Sequence, residues 1–169
     1  MKTRILGMVA VLAMLAACET PADKAATTQG AGTTAPAAST TVAPAAVPGI
    51  KPGTQADLVA NVGDRVFFDF DKYDLKPEGR ATLEKQAAWL KNHPNVAIVV
   101  EGHCDERGTR EYNLALGERR ANAVKDYLVA NGIQAARVKT LSYGKERPVA
   151  LGSNEAAWAQ NRRGVTVVQ

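Results

Sequence analysis

All nine aromatic residues of this 169-residue chain lie at or after Phe67, while five of its eight prolines fall between Pro21 and Pro52. A segment without aromatic side chains and punctuated by proline cannot bury the area that offsets the entropy of ordering it. The chain therefore divides in two. Its first third builds no core, and the remainder is long enough for one ordinary domain.

The formal net charge is +4, which taken alone invites nucleic acid. Lys2 and Arg4 sit in a leader, however, and without them 19 basic side chains stand against 17 acidic ones. The remaining charges are interspersed and form no Lys/Arg block of the kind that tracks a phosphate backbone, so no nucleic-acid partner is expected. Two cysteines and two histidines do not make a four-ligand zinc site, and no metal or other cofactor is expected.

Residues 1–17 read as a secretion signal. Lys2 and Arg4 give a positive start, and Ile5 to Ala17 is apolar apart from glycine. That run falls short of the roughly 20 residues a spanning helix needs. Leu15-Ala16-Ala17-Cys18 resembles the bacterial lipobox, which implies cleavage before Cys18 and acylation of its sulfur and freed amine. One acyl chain holds a protein marginally and two suffice, so such an anchor is firm. Glu19 follows, where inner-membrane lipoproteins often carry aspartate, and the resemblance therefore implies the outer membrane. Residues 18–60 are Ala, Thr, Pro and Gly with few charges, which reads as a disordered linker. A coil of this length spans roughly 36 Å, and about 140 Å when stretched.

From Asn61 the pattern changes, and a domain is expected over 61–169. Val66 to Phe70 alternates like a strand, with Val66, Phe68 and Phe70 on one face. Pro77 suits the first turn of a helix that carries Leu83, Ala87 and Leu90 and stops at Asn92-His93-Pro94. A strand follows over 96–101, then a long helix over 110–130 closed by Asn131-Gly132. Strands over 138–143 and 164–168 flank a short helix over 154–161. The order β-α-β-α-β-α-β predicts a two-layer α/β sandwich. Because the second strand faces carry Asp69, Asp71 and Glu101, helices are expected on only one side of the sheet.

The loop Gly102-His103-Cys104-Asp105-Glu106-Arg107-Gly108 joins a strand to the long helix, a favoured position for binding residues. Arg120 lies on that helix's apolar stripe, four residues from Leu116 and Val124. An arginine there snorkels, pairs internally with Asp105 or Asp69, or binds an external anion. In the last case Asp105 and Arg120 grip the two ends of a zwitterion, carboxylate to ammonium and guanidinium to carboxylate. The helix N-terminus near Thr109 adds free N–H groups for the same anion.

Phe68-Asp69-Phe70-Asp71, Glu101 to Gly108, Tyr112-Asn113, Glu118-Arg119-Arg120-Ala121 and Asn161-Arg162-Arg163 together resemble the OmpA-like C-terminal domain family, over about 61–169. With the lipobox, the whole architecture resembles the family's lipid-anchored members. The resemblance implies non-covalent binding of peptidoglycan through the diaminopimelate of its stem peptide, whose side chain ends in an amino acid group. It further implies no catalysis, TolB as a protein partner, an outer-membrane anchor with the domain facing the periplasm, and a role in envelope constriction at division. Asp105 and Arg120 carry over as the clamp. Phe68, Asp69, Phe70 and Asp71 are expected to line the pocket with Leu116, and Arg107, Asn113 and Arg119 to contribute. Arg162 and Arg163 either serve the pocket or clasp the sheet edge. The rival is a lipoprotein whose domain chiefly binds other proteins, with wall binding incidental. A flagellar stator protein shares the domain but needs a full transmembrane helix.

Cys104 stands where relatives carry threonine or alanine. Beside His103 it could suggest a cysteine nucleophile, but neighbours on an extended segment point to opposite faces. Tyr143-Gly144, Trp158 and Trp89 read as core, turn and helix-packing elements.

Overall fold

The structure, a computed structural model, describes residues 49–169. Cys18, the signal peptide and the expected linker up to residue 48 lie outside the described residues. The rest of that linker is not a linker. Helix α1 (Gln55–Asn61) begins after Thr54, whose side chain caps it by accepting from the Asp57 N–H. It inserts Leu58, with no exposed surface, into the core. The folded part thus starts ahead of the expected boundary at 61. Seven residues with a single strongly apolar anchor leave little periodic signal to read.

The remaining elements are β1 (Arg65–Phe67), α2 (Pro77–Asn92), β2 (Ile98–His103), α3 (Arg110–Ala130), a 3₁₀ turn (Ala135–Arg137), β3 (Val138–Gly144), α4 (Glu155–Asn161) and β4 (Arg163–Val168). After α1 the expected β-α-β-α-β-α-β order is present. Four strands form one mixed sheet in the order β1-β4-β2-β3, with β2 and β3 parallel and the other pairs antiparallel.

One face of the sheet supplies Val66, Ile98, Val100, Val138 and Thr166, all buried. They meet Leu83, Ala87 and Leu90 of α2 and Ala121, Val124 and Leu128 of α3. The alternate residues Arg65, Phe67, Lys139 and Leu141 are exposed, and Val99 and Glu101 half-buried. Helices cover one side, as the mixed strand faces predicted.

β1 pairs with only the first half of β4. Gln55 completes the edge: its amide donates to the Thr166 carbonyl at 3.2 Å, and its oxygen accepts from the Val168 N–H at 2.7 Å. Val168 in turn lies beside Ile98, the first residue of β2. The start of the described chain therefore sits at the opposite end of β2 from His103, about 17 Å away at ~3.3 Å per strand residue.

β1 is shorter than expected, and this decides the fate of Phe70. The chain turns at 69–72, closed by the Lys72 N–H on the Asp69 carbonyl, with Asp71 left-handed at φ 57°. Positive φ at the third turn position usually calls for glycine, and aspartate is among the few other residues that tolerate it. The turn takes Phe70 off the buried face, leaving it 55% exposed.

Candidate functional site

The chain leaving β2 and the first turns of α3 enclose a cavity of about 150 Å³, bounded on its far side by the 69–72 turn. Thr109 starts α3 by accepting from the Tyr112 N–H. Asn113, one residue on and buried, ties the loop to the helix by donating to the carbonyls of Arg107 and Thr109.

Asp105 is 4% exposed and held by two arginines. Its Oδ1 accepts from the Arg107 N–H at 3.1 Å and Nε at 3.2 Å, and its Oδ2 from Arg107 Nη2 at 2.6 Å and Arg162 Nη1 at 3.3 Å. Burial opposes its charge, but these donors outweigh burial and hold the carboxyl below the usual range. Arg162, itself buried, also donates to the Phe68 carbonyl and to Glu155. Arg107 lies between two aromatic rings, 3.9 Å from the centre of Phe70 and 4.0 Å from that of Trp158.

Arg120 has no exposed surface, which excludes snorkelling. Among the described residues no carboxylate lies within ion-pair distance of it, so neither expected internal pair, to Asp105 or to Asp69, is made. Instead Nε donates to the Lys72 carbonyl at 2.8 Å, Nη1 to His103 at 2.8 Å and Nη2 to Asp69 at 3.0 Å. Burial pulls its pKa below the ordinary value. The guanidinium thus clasps both ends of the 69–72 turn, and its charge lies beside the cavity without an anion.

Of the expected site residues, Phe70, Asp71, Asp105, Arg107, Asn113, Leu116 and Arg120 border this cavity. Three do not. Phe68 is buried in the core, its ring beneath Arg120 at 5.2 Å. Asp69 turns its carboxylate outward to Lys76 and offers the site only its carbonyl. Arg119 is exposed and lies two turns along α3 from Tyr112, beyond the residues that border the cavity. The two arginines of 162–163 separate: Arg162 serves the site, while Arg163 donates to the carbonyls of Asn161 and Arg147.

Sequence reasoning missed Tyr112, which borders the cavity and donates its hydroxyl to Asp71. Its place in the first turn of a helix that follows a binding loop was the available signal. Trp158 was read as a core or turn element, yet it forms one wall of the Arg107 cleft. Cys104 borders the cavity as well, but its thiol donates to the Asn113 carbonyl, and burial pushes its pKa up to about 11. The His103 ring stacks instead on Tyr143 at 5.5 Å, so the two side chains form no nucleophile pair.

Residues 67–162, which hold both arginine-bound ends of the site, match the OmpA family. A protein of Agrobacterium fabrum named peptidoglycan-associated lipoprotein is 57% identical over 117 residues, covering 69% of this chain and 66% of that one, just under two thirds. The crystal structure of the peptidoglycan-associated lipoprotein from Burkholderia pseudomallei is 50% identical, with a TM-score of 0.61 over 63% of this chain and 90% of that chain. The C-terminal domain of Helicobacter pylori MotB, 20% identical with a TM-score of 0.59 over 63% of this chain and 84% of that chain, shares the fold. With residues 67–162 matched by the family and 57% identity to a relative over 69% of its length, this chain belongs to the OmpA family.

Proposed function

We propose that the chain is an outer-membrane lipoprotein, anchored through Cys18, whose domain binds peptidoglycan without cleaving it and so ties that membrane to the cell wall. The ligand is the amino acid group at the side-chain end of diaminopimelate. One observation carries this reading: a buried guanidinium without an anion, Arg120, lies beside the same cavity as the Asp105 carboxylate. An uncompensated buried charge is costly, and a ligand carboxylate relieves that cost. A cavity of about 150 Å³ has room for the tip of a peptide side chain.

Placement supports the tether. The described chain begins at the end of the sheet opposite the cavity, so the point where the domain joins the preceding chain does not share the cavity mouth. The names borne by the Agrobacterium and Burkholderia relatives agree with wall association and lipid attachment. TolB is the proposed protein partner, within the Tol–Pal system that supports constriction at division. Phe70 and Tyr112, 55% and 46% exposed at the cavity mouth, suit a partner that covers the same opening.

Co-sedimentation of the full chain with isolated sacculi tests the reading, with and without TolB. The wild-type chain is expected to pellet with the wall and to be released by TolB, and Asp105→Ala to stay in the supernatant. Pelleting of Asp105→Ala equal to wild type places the site elsewhere.

A further inference from the structure

β1 lies at one edge of the sheet with main-chain groups left unpaired. Toward β4 its bonds fall on alternate residues: the Asp64 carbonyl accepts from the Thr166 N–H at 2.7 Å, and the Phe68 N–H donates to the Arg162 carbonyl at 2.9 Å. In an antiparallel ladder the intervening Arg65 and Phe67 aim both of their main-chain groups the other way. Among the described residues no hydrogen bond meets those groups. They open on a groove of about 390 Å³ between β1 and the first turns of α2, walled by Lys76, Gly79 and Thr82. Folded proteins usually blunt such an edge with proline, a bulge or a bare charge. β1 has no proline and pairs without a bulge, and its one charge is compensated, Arg65 Nε lying 2.8 Å from Asp64. Lys76 is likewise held by Asp69. With both cations paired, the groove offers a charged polymer little; what it presents is main-chain bonding.

The geometry points to a second copy of this chain as the occupant, its own β1 added antiparallel across a two-fold axis through Val66. That register sets Arg65 opposite the partner's Phe67, and Phe67 opposite the partner's Arg65. The free N–H groups and carbonyls of the two copies then close four hydrogen bonds and leave none of these groups over. Both side chains are exposed on the open face of the sheet, where each arginine lies within reach of the aromatic ring across from it. Each Arg65 brings its own Asp64, so the pairing sets no bare like charges together. A foreign strand would have to supply the same arginine–aromatic spacing, whereas a second copy carries it by construction, and the two-fold repeats every contact. Three residues a side make a weak, concentration-dependent pair. Groove and site cavity share no lining residue, so the pairing consumes none of the site.

Cysteine pairing reads out the register. Directly opposed residues stand about 5.5 Å apart between Cα atoms, within reach of a disulfide, whereas Arg65 and the partner's Arg65 would stand roughly 9 Å apart, beyond it. Full chain carrying Arg65→Cys, mixed in detergent with full chain carrying Phe67→Cys and oxidised, is expected to form a covalent dimer. Each variant alone is expected to stay at the background set by wild type, with its Cys18 and Cys104. Phe67→Pro removes one outward N–H per copy at an edge position that tolerates proline. By analytical ultracentrifugation its dimer is expected to be weaker than that of wild type by on the order of tenfold, for two hydrogen bonds lost across the axis. The cross-link needs no proline variant and decides the matter even if Phe67→Pro fails to fold. Equal cross-linking in single and mixed samples overturns the proposal, as does a folded Phe67→Pro that pairs as tightly as wild type. No cross-link above background, or wild type sedimenting only as a monomer, overturns it too and leaves the groove to a different strand.

Discussion

Gly102 of β2 and Gly117 of α3 touch backbone to backbone: a Cβ on Gly102 would stand 1.9 Å from the Gly117 carbonyl oxygen. Gly117 is as constrained, since its own Cβ would lie 2.3 Å from Ser142 Oγ. This contact sets how closely α3 approaches the strand, and hence how Arg120 reaches the carbonyls of His103 and the 69–72 turn.

Gly102→Ala is therefore expected to force α3 away from β2. Overpacking of this kind costs typically about 1–3 kcal/mol, and the cavity should suffer before the fold does. Thermal melting and sacculus binding measured on one preparation check it: binding is expected to fall further than the unfolded fraction explains. An unchanged melting temperature would mean that the helix can shift freely.

His103 and Arg120 are linked through the strand. The His103 carbonyl holds Arg120 Nη1, while its ring lies buried with both nitrogens lacking a hydrogen-bond partner. Glu101 Oε2 is 3.5 Å from Nε2, too weak an attraction to offset burial and the nearby Arg163 and Arg147, which push the ring's pKa down to about 4. The unfolded chain takes up this proton near pH 6.5, and the folded chain only near pH 4. Stability due to the neutral ring is thus complete above pH 6.5 and declines as pH falls through that window, by up to about 3 kcal/mol. His103→Phe keeps an aromatic ring against Tyr143 and removes the proton site. Its melting temperature should fall less than that of wild type between pH 7 and 4; parallel curves would show that His103 does not titrate as buried.

Regular periodicity made much of this molecule legible. Leu83, Ala87 and Leu90 gave α2, and Asn131-Gly132 marked the end of α3, because those signals are local. The apolar stripe singled out Arg120 and the loop before α3 singled out Asp105; the resemblance carried both over as a clamp, and they border one cavity. Other features were not readable because they depend on approach in space. Nothing in the order of residues says that Asp69 offers a carbonyl rather than a carboxylate. That depends on the left-handed Asp71 reversing the chain. Likewise, Arg162 reaches Asp105 from 57 residues away, and only the sheet order β1-β4-β2 brings their strand ends together. Gln55 was lost in a segment whose composition reads as tether.

That last omission gives a prediction about domain limits. A fragment beginning at residue 62 lacks Leu58, the Gln55 bonds to β4, and Asp57, which accepts from Trp89 Nε1 at 2.9 Å. Loss of one fully buried leucine costs about 2–5 kcal/mol, before the open strand edge is counted. Fragment 49–169 should unfold cooperatively in urea, and fragment 62–169 at a much lower midpoint or not cooperatively. Equal midpoints would make α1 dispensable.

Arg120 gives the sharpest separation of structure from binding. Its three donors fan from one planar group to the carbonyls of Lys72, His103 and Asp69. Lysine keeps the charge but concentrates it at one flexible tip, which cannot span three carbonyls from the same stem position. Each bond to a charged donor is worth about 1.5–3 kcal/mol. Arg120→Lys should therefore lose at least about 2 kcal/mol of stability by urea unfolding. The 69–72 turn, released at both ends, should uncover Cys104. Its thiol is protected in the wild type by 3% exposure and a pKa of about 11, so at pH 8 a thiol reagent should label Arg120→Lys far faster than wild type. A variant as stable as wild type, with Cys104 still unreactive, would show that Arg120 does not hold the turn and that its buried charge is kept for the ligand alone.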